Sequence, residues 1–261
     1  MRKFLAFLKI AWQETIAYRA ESFVWFILEI VPLIPLISLW SYLEKINQMS
    51  HQQSVSLILY YLITIGISRL FSSHFDDWLI DDIKDGKVSS SLLKPFSYKM
   101  FLLANETSWR IAGFVYYLPV LAVLLPTVTG SLQTRPILVI ISFFVLVVSY
   151  VQRFYISLII ATTAFWIDQS KSLIHFKWMA EGIFGGSWLP LYFFPLWIQT
   201  FAKFTPFYSW YYFPIQLMLN LLKPAEIVSG LITSIIWVIA LVFFGNLFWK
   251  KAINKYSAVG N

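Results

Sequence analysis

The chain has 261 residues, of which 59% are hydrophobic and only 13% are charged. An ordinary soluble domain carries about 25% charged residues, so this composition excludes a soluble globular domain and predicts helices that cross a membrane. The 20 basic residues outnumber the 13 acidic ones, but they lie scattered between apolar runs, which argues against nucleic-acid binding. Cysteine is absent, which excludes disulfides and thiolate metal sites.

The first part of the chain predicts one interfacial helix and two spans. Residues 1–19 place apolar side chains on one helical face and basic and polar ones on much of the rest, which is typical of a helix in the headgroup plane. Residues 22–43 and 54–75 are each long enough for the ~20 residues that a crossing helix needs. Within the first of these spans, Pro32 and Pro35 predict a kink.

The second part predicts four more spans, at residues 108–126, 136–167, 173–190 and 227–248. Between the last two, residues 191–222 combine many aromatic residues with a proline every 5 to 11 residues. A plain crossing helix with this many prolines would leave backbone amides unsatisfied in lipid. We therefore expect a re-entrant helical hairpin on the outer face, and an all-α fold with six spans in one transmembrane domain.

The distribution of basic residues predicts the orientation. With six spans, 13 of the 20 Lys and Arg residues fall on one side of the membrane and four on the other. Because basic loops stay in the cytoplasm, we expect a multi-pass protein of the cell (inner) membrane with both termini cytoplasmic. Residues 76–95, between the second and third spans, are then cytoplasmic too.

Residues 76–95 are the most polar stretch of the chain and contain five of its six aspartates. Trp78, Leu79 and Ile83 recur among these acids at helical spacing, which predicts a short amphipathic helix that ends at Gly86. Exposing such an apolar face to water costs roughly 25 cal/mol per Å². We therefore expect a partner to cover it.

No ATP-binding, metalloprotease or nucleophile motif is present, and the three histidines are too far apart in sequence to suggest a metal site. We expect a chain that is not itself an enzyme and binds no metal. Charges inside spans are functional candidates by default, and Glu29, Arg153 and Glu181 meet that criterion. Each of them could equally pair within the chain or reach the interface.

The order of these elements resembles the type-2 ABC export permeases, and most closely the six-span kind encoded beside a separate ATPase. The resemblance covers nearly the whole chain and rests on the amphipathic first helix, the acidic helix between spans two and three, and the Gly-Gly and Pro-aromatic hairpin before the last span. Its most specific stretches are residues 83–97 and 185–214.

The resemblance implies a role for each region. Residues 76–95 would be a coupling segment that docks onto a cytoplasmic ABC ATPase. The implied coupling residues are Trp78, Leu79, Asp81, Asp82, Ile83, Asp85, Gly86 and Lys94. The hairpin would shape the outer gate, so Pro195, Pro206 and Pro214 join the three intramembrane charges as pore or gate candidates.

The resemblance also implies partners. Two permease chains, identical or related, would form a dimer and assemble with two ATPase subunits. ATP and Mg would be bound by the ATPase, and this chain would hold no cofactor.

The expected function is the permease subunit of an ATP-driven exporter. The apolar and aromatic lining suits an amphiphilic or hydrophobic small molecule, as in multidrug efflux. Export of a lipid or a glycan is an alternative, and so is a channel or scaffold that is not coupled to ATP. A membrane-embedded enzyme is disfavoured because acid–base and metal clusters are missing.

Overall fold

The computed structural model describes residues 2–89, 97–128 and 135–259. Helices and turns account for these residues, with no strand among them, which confirms the predicted all-helical fold for this part of the chain. In chain order the helices are α1 (Arg2–Ala17), α2 (Arg19–Ile30), α3 (Leu33–Lys45), α4 (His51–Phe71), α5 (Phe75–Lys84), α6 (Tyr98–Val128), α7 (Pro136–Thr162), α8 (Lys171–Phe184), α9 (Leu196–Lys203), α10 (Tyr212–Met218) and α11 (Pro224–Val259).

Four helical stretches in the described ranges are long and apolar enough to cross a membrane. They are Arg19–Lys45, His51–Lys84, Pro136–Phe165 and Pro224–Asn254. The predicted spans 108–126 and 173–190 lie on α6 and α8 and are not among these four, so six spans remain a prediction. The 14 residues of α8 reach only ~21 Å, which is less than the ~30 Å hydrocarbon core of a bilayer.

Proline has different effects on two of these helices. The helical stretch Arg19–Lys45 is interrupted by a turn at Val31 and Pro32, where proline cannot donate a backbone hydrogen bond, whereas α3 continues through Pro35. By contrast, α6 continues through Pro119, although a proline in the middle of the predicted span 108–126 favours an interruption of the helix there. A proline inside a long helix removes one backbone bond while the turns on either side remain intact.

The central helix is α7, which packs against α4, α5, α10 and α11. Ser142, Ser149 and Ser157 recur along its buried face and are fully buried. Small side chains at such positions allow helix backbones to approach closely. Helix α7 is therefore the element that connects the acidic segment, the hairpin and the last helix.

Helix α1 packs along α6. The rings of Phe7 and Phe101 meet edge to face with centroids 6.1 Å apart, and Ala11 and Thr15 are buried. Part of the apolar face of α1 is thus covered by the chain itself.

Candidate functional site

The acidic segment begins with α5, and the apolar face of that helix is buried inside the protein. Leu79 and Ile80 are fully buried and Ile83 nearly so, in a cluster with Phe154 and Leu158 of α7. The expectation that a partner covers this face is therefore wrong, because α7 and its neighbours cover it. Leu79 and Ile83 cannot touch a partner directly in this structure.

The opposite side of α5 is the part available to a partner. Trp78 and Asp82 are half-buried at the edge of the cluster, while Asp81 and Asp85 are exposed. Gly86 follows the last turn of the helix, as predicted, and its φ of +73° is a left-handed conformation that side chains with a Cβ disfavour. Residues 90–95 of the segment, Lys94 included, lie outside the described residues.

The exposed acids of α5 also pair with the start of α8. The Nζ of Lys171 lies 2.7 Å from Asp81 Oδ2 and 3.2 Å from Asp77 Oδ1. Hydrogen bonds to Asp81 and Asp77 raise the pKa of Lys171 above its ordinary value. These pairs are open to solvent, so each contributes little to stability.

A buried ion pair joins α5 to α8. Asp76, in the first turn of α5, accepts a hydrogen bond from the Nζ of Lys177, and their side chains are 1% and 3% exposed. The same Nζ donates to Ser157 Oγ of α7 at 3.1 Å and to the carbonyl of Ser73 at 3.3 Å. Neither Lys177 nor its pairing is evident from the sequence, because the two partners lie 101 residues apart.

A second buried ion pair unites two residues that the sequence marked as intramembrane charges. Arg153 Nη1 of α7 donates to Glu181 Oε1 of α8 at 3.1 Å, and the two side chains are 2% and 12% exposed. The Tyr211 hydroxyl donates to the same Oε1 at 2.7 Å and accepts from Arg153 Nη1 at 3.1 Å and from Ser68 Oγ at 3.0 Å. Each charge thus has a partner of opposite sign, and the tyrosine hydroxyl uses its one donor and two acceptor positions.

Arg153 also contacts residues 210 and 211, which belong to the stretch 191–222 where the re-entrant hairpin remains a prediction; this stretch is called the hairpin below. Its Nη2 donates to the Trp210 carbonyl at 3.0 Å, and its guanidinium carbon lies 4.7 Å and 4.4 Å from the ring centroids of Trp210 and Tyr211. The neighbouring Gln152 accepts hydrogen bonds from Trp210 Nε1 at 3.0 Å and from Ser209 Oγ at 2.8 Å. Together Gln152 and Arg153 hold residues 209–211 against α7. Gln152 could have been recognised as a candidate from the sequence, because it stands beside Arg153 in an otherwise apolar run.

A third buried ion pair lies within α6, and it was not predicted from the sequence. Arg110 Nη2 and Glu106 Oε2, one helical turn apart, are 3.4 Å from each other, and Arg110 Nη1 donates to Ser72 Oγ at 2.6 Å. Glu106 Oε2 also accepts from the backbone amide of His74 at 3.4 Å. This pair therefore supports the short connection between α4 and α5.

The two glycines after α8 are required by close contacts. Gly186 has a φ of +78°, and its carbonyl accepts from the Tyr60 hydroxyl at 2.8 Å. A Cβ on Gly185 would lie 2.4 Å from the Glu181 carbonyl, closer than atoms can approach. The Gly185 carbonyl accepts from the Tyr212 amide at 3.0 Å, so the end of α8 is attached to α4 and to the hairpin.

A cavity of about 340 Å³ lies beside the Arg153–Glu181 pair. It is bounded by α2 and the α2–α3 break, α4, α8, the residues just after α8 and Tyr211, and its wall combines aromatic, hydroxyl and ionisable side chains. These include Trp178, Trp188, Tyr211, Ser68, His74 and Glu181. A larger groove of about 630 Å³ runs along α11, but its wall is almost wholly apolar, as expected for a surface that faces lipid.

The other gate candidates lie apart from this cavity. Pro195 precedes α9, Pro206 begins the turn Pro206–Ser209 and is buried, and the Pro214 carbonyl accepts from Ser142 Oγ at 2.8 Å. None of the three is among the described residues that line the cavity. The backbone of Glu29 belongs to α2, but its side chain lies outside the described part of the chain.

Four helical stretches of span length within the described residues are those of a multi-pass membrane protein. The model of the ABC-2 family transporter proteins matches residues 26–260, so the chain belongs to this family. A search of the curated proteins gave no match. The resemblance to the type-2 ABC permeases is thereby confirmed. The protein is a membrane permease of an ABC transporter, typically a non-catalytic subunit, and membership implies an ABC ATPase partner.

Proposed function

We propose that this chain is the permease subunit of an ATP-driven exporter that moves an amphiphilic or hydrophobic small molecule out of the cell. A separate ATPase subunit supplies the energy. The observation that carries the proposal is the cavity beside the Arg153–Glu181 pair, because a polar and aromatic cavity among spanning helices has the character of a substrate site.

The wall of the cavity favours an amphiphile. Trp178 and Trp188 offer flat apolar surfaces, and Leu28 and Ile65 add aliphatic ones. The hydroxyl oxygens of Thr64 and Ser68 provide hydrogen-bond acceptors in the same wall. A volume of about 340 Å³ lies within the range of sites for small molecules.

A second permease chain covers the side of the cavity that is open in a single chain. His74 and Glu181 are ionisable side chains in the wall of the cavity, and ionisable groups are costly wherever they face lipid. A second copy placed over this side would enclose the cavity and leave the substrate between two permeases.

The ATPase contacts the exposed side of α5. Trp78 supplies an apolar anchor, and Asp81, Asp82 and Asp85 form an acidic rim for basic residues of the ATPase. The attachment of α5 to α8 through Asp76 and Lys177 argues against a channel or passive scaffold, because a merely solvated loop needs no buried ion pair.

Reconstitution of the complex tests the proposal. The tagged chain is purified in mild detergent from its native membranes, together with its ATPase, and placed in proteoliposomes loaded with a fluorescent amphiphilic dye. We expect dye transport that depends on ATP and stops when the ATP-binding lysine of the ATPase is replaced. Dye flux without ATP would indicate a channel, and stimulation of hydrolysis by lipids or glycans alone would favour the alternative substrates.

A further inference from the structure

Helix α8 carries three charged side chains, two of which pair with α5 while the third contacts α7 and the hairpin. Lys171 at its start pairs with Asp77 and Asp81 on the exposed side of α5. Lys177 pairs with the buried Asp76 at the beginning of α5. Glu181, near the end of α8, pairs with Arg153 and accepts from the Tyr211 hydroxyl of the hairpin.

The two buried contacts lie on one face of α8. Lys177 and Glu181 are four residues apart, so their side chains are neighbours on the helix surface and their backbones are separated by only ~6 Å along the axis. The helical backbone between them is continuous. A shift or rotation of α8 at Lys177 therefore moves Glu181 as well.

The partners of Lys177 and Glu181 belong to two different regions of the permease, the proposed ATPase surface and the hairpin. Asp76 is part of α5, whose exposed side is the proposed ATPase surface. Arg153 and Tyr211 hold the hairpin, because Arg153 also donates to the Trp210 carbonyl at 3.0 Å. Buried ion pairs are directional and leave a costly unpaired charge when broken, so they favour movement of both partners together.

We propose that Lys177 is a positioning residue that couples α5 to the hairpin through α8 and Glu181. When the ATPase displaces α5, Asp76 carries Lys177 with it, and α8 then changes the Glu181–Arg153–Tyr211 contacts that hold the hairpin. This inference rests on the proposed function. Coupling between distant sites requires an element whose position depends on both of them. The proposal assigns this role to α8, which contacts both α5 and the residues that hold the hairpin.

A single cysteine can report on the hairpin because the natural chain contains no cysteine. Thr200 of α9 is exposed, and Thr200→Cys with an environment-sensitive fluorophore follows the hairpin in the complete permease–ATPase complex. The fluorescence is compared before and after the addition of ATP with vanadate. The test variant is Asp76→Asn/Lys177→Met, which removes the buried pair without leaving either charge alone. The matched control is Glu44→Gln/His51→Gln, which removes an exposed pair of 2.7 Å.

We expect the test variant to retain ATP hydrolysis while its ATP-induced fluorescence change falls by about tenfold. Lys177→Arg, which keeps the charge, and the control should keep the change. A full fluorescence change in Asp76→Asn/Lys177→Met overturns the proposal.

If that variant does not assemble, the same measurement is made on Glu181→Gln, which removes the charge but keeps an acceptor for the Tyr211 hydroxyl. A full ATP-induced fluorescence change in Glu181→Gln also overturns the proposal. A wild-type complex that hydrolyses no ATP would instead refute the proposed function, and this inference with it.

Discussion

Replacement of Arg153 by methionine tests the buried network at its most connected residue. Methionine fills much of the volume but leaves the Glu181 carboxylate without its cation and the Trp210 carbonyl without this donor, while the Tyr211 hydroxyl keeps only the hydrogen bond from Ser68. Removal of one partner from a buried ion pair typically costs 3–5 kcal/mol, so we expect a loss of about 4 kcal/mol in the free energy of unfolding. Arg153→Lys keeps the charge but not the forked geometry, and we expect it to recover only part of that loss.

The measurement is unfolding in mixed micelles titrated with a denaturing detergent and followed by tryptophan fluorescence. Glu181→Gln and the double variant Arg153→Met/Glu181→Gln complete a double-mutant cycle. Because the partners touch, we expect the double variant to be less destabilised than the sum of the two single ones, by about 2 kcal/mol. Lys203→Met serves as the control. It removes a pair with Glu226 that is 46% and 37% exposed, and we expect less than about 1 kcal/mol there. Additive effects of Arg153→Met and Glu181→Gln would refute the reasoning.

The remaining predictions concern orientation and the acidic segment. Single cysteines at positions 87 and 203 should react with a water-soluble thiol reagent from opposite sides of the membrane, and labelling from the same side would contradict the six-span topology. Gly86→Val should reduce recovery of the ATPase on purification, because a β-branched residue resists the left-handed conformation by roughly 1–2 kcal/mol, whereas Gly86→Asn should be tolerated. Trp78→Ala should release the ATPase while the permease stays folded. Ile83→Ala should instead lower the stability of the permease by about 2–5 kcal/mol, because Ile83 is buried within it; detergent unfolding and co-purification distinguish the two outcomes.

The burial of Leu79 and Ile83 changes how the coupling segment is understood. From sequence, the apolar face of α5 was expected to be the surface for the ATPase, but in the structure it packs against α7. The helix is therefore packed against α7, and only Trp78 and the acidic residues remain for the proposed ATPase contact. Such an attachment suits a segment that must transmit force rather than merely bind.

The sequence by itself determined the features that depend on composition and on local backbone chemistry. Apolar runs of span length define a membrane protein, Pro32 breaks the first long helix, and Gly86 ends α5 in a left-handed conformation. The order of these elements was enough to indicate the family. All of these properties follow from residues close together in the chain, so a pattern read along the chain captures them.

The tertiary structure decided which charges meet. Arg153 and Glu181 were each marked as intramembrane charges, but nothing in the sequence pairs them with one another or adds Tyr211. Asp76 and Lys177 are 101 residues apart, and their pairing depends on how α5 and α8 pack around α7. A buried charge requires a partner of opposite sign, but hydropathy and periodicity give no information about which distant residue packing brings within reach.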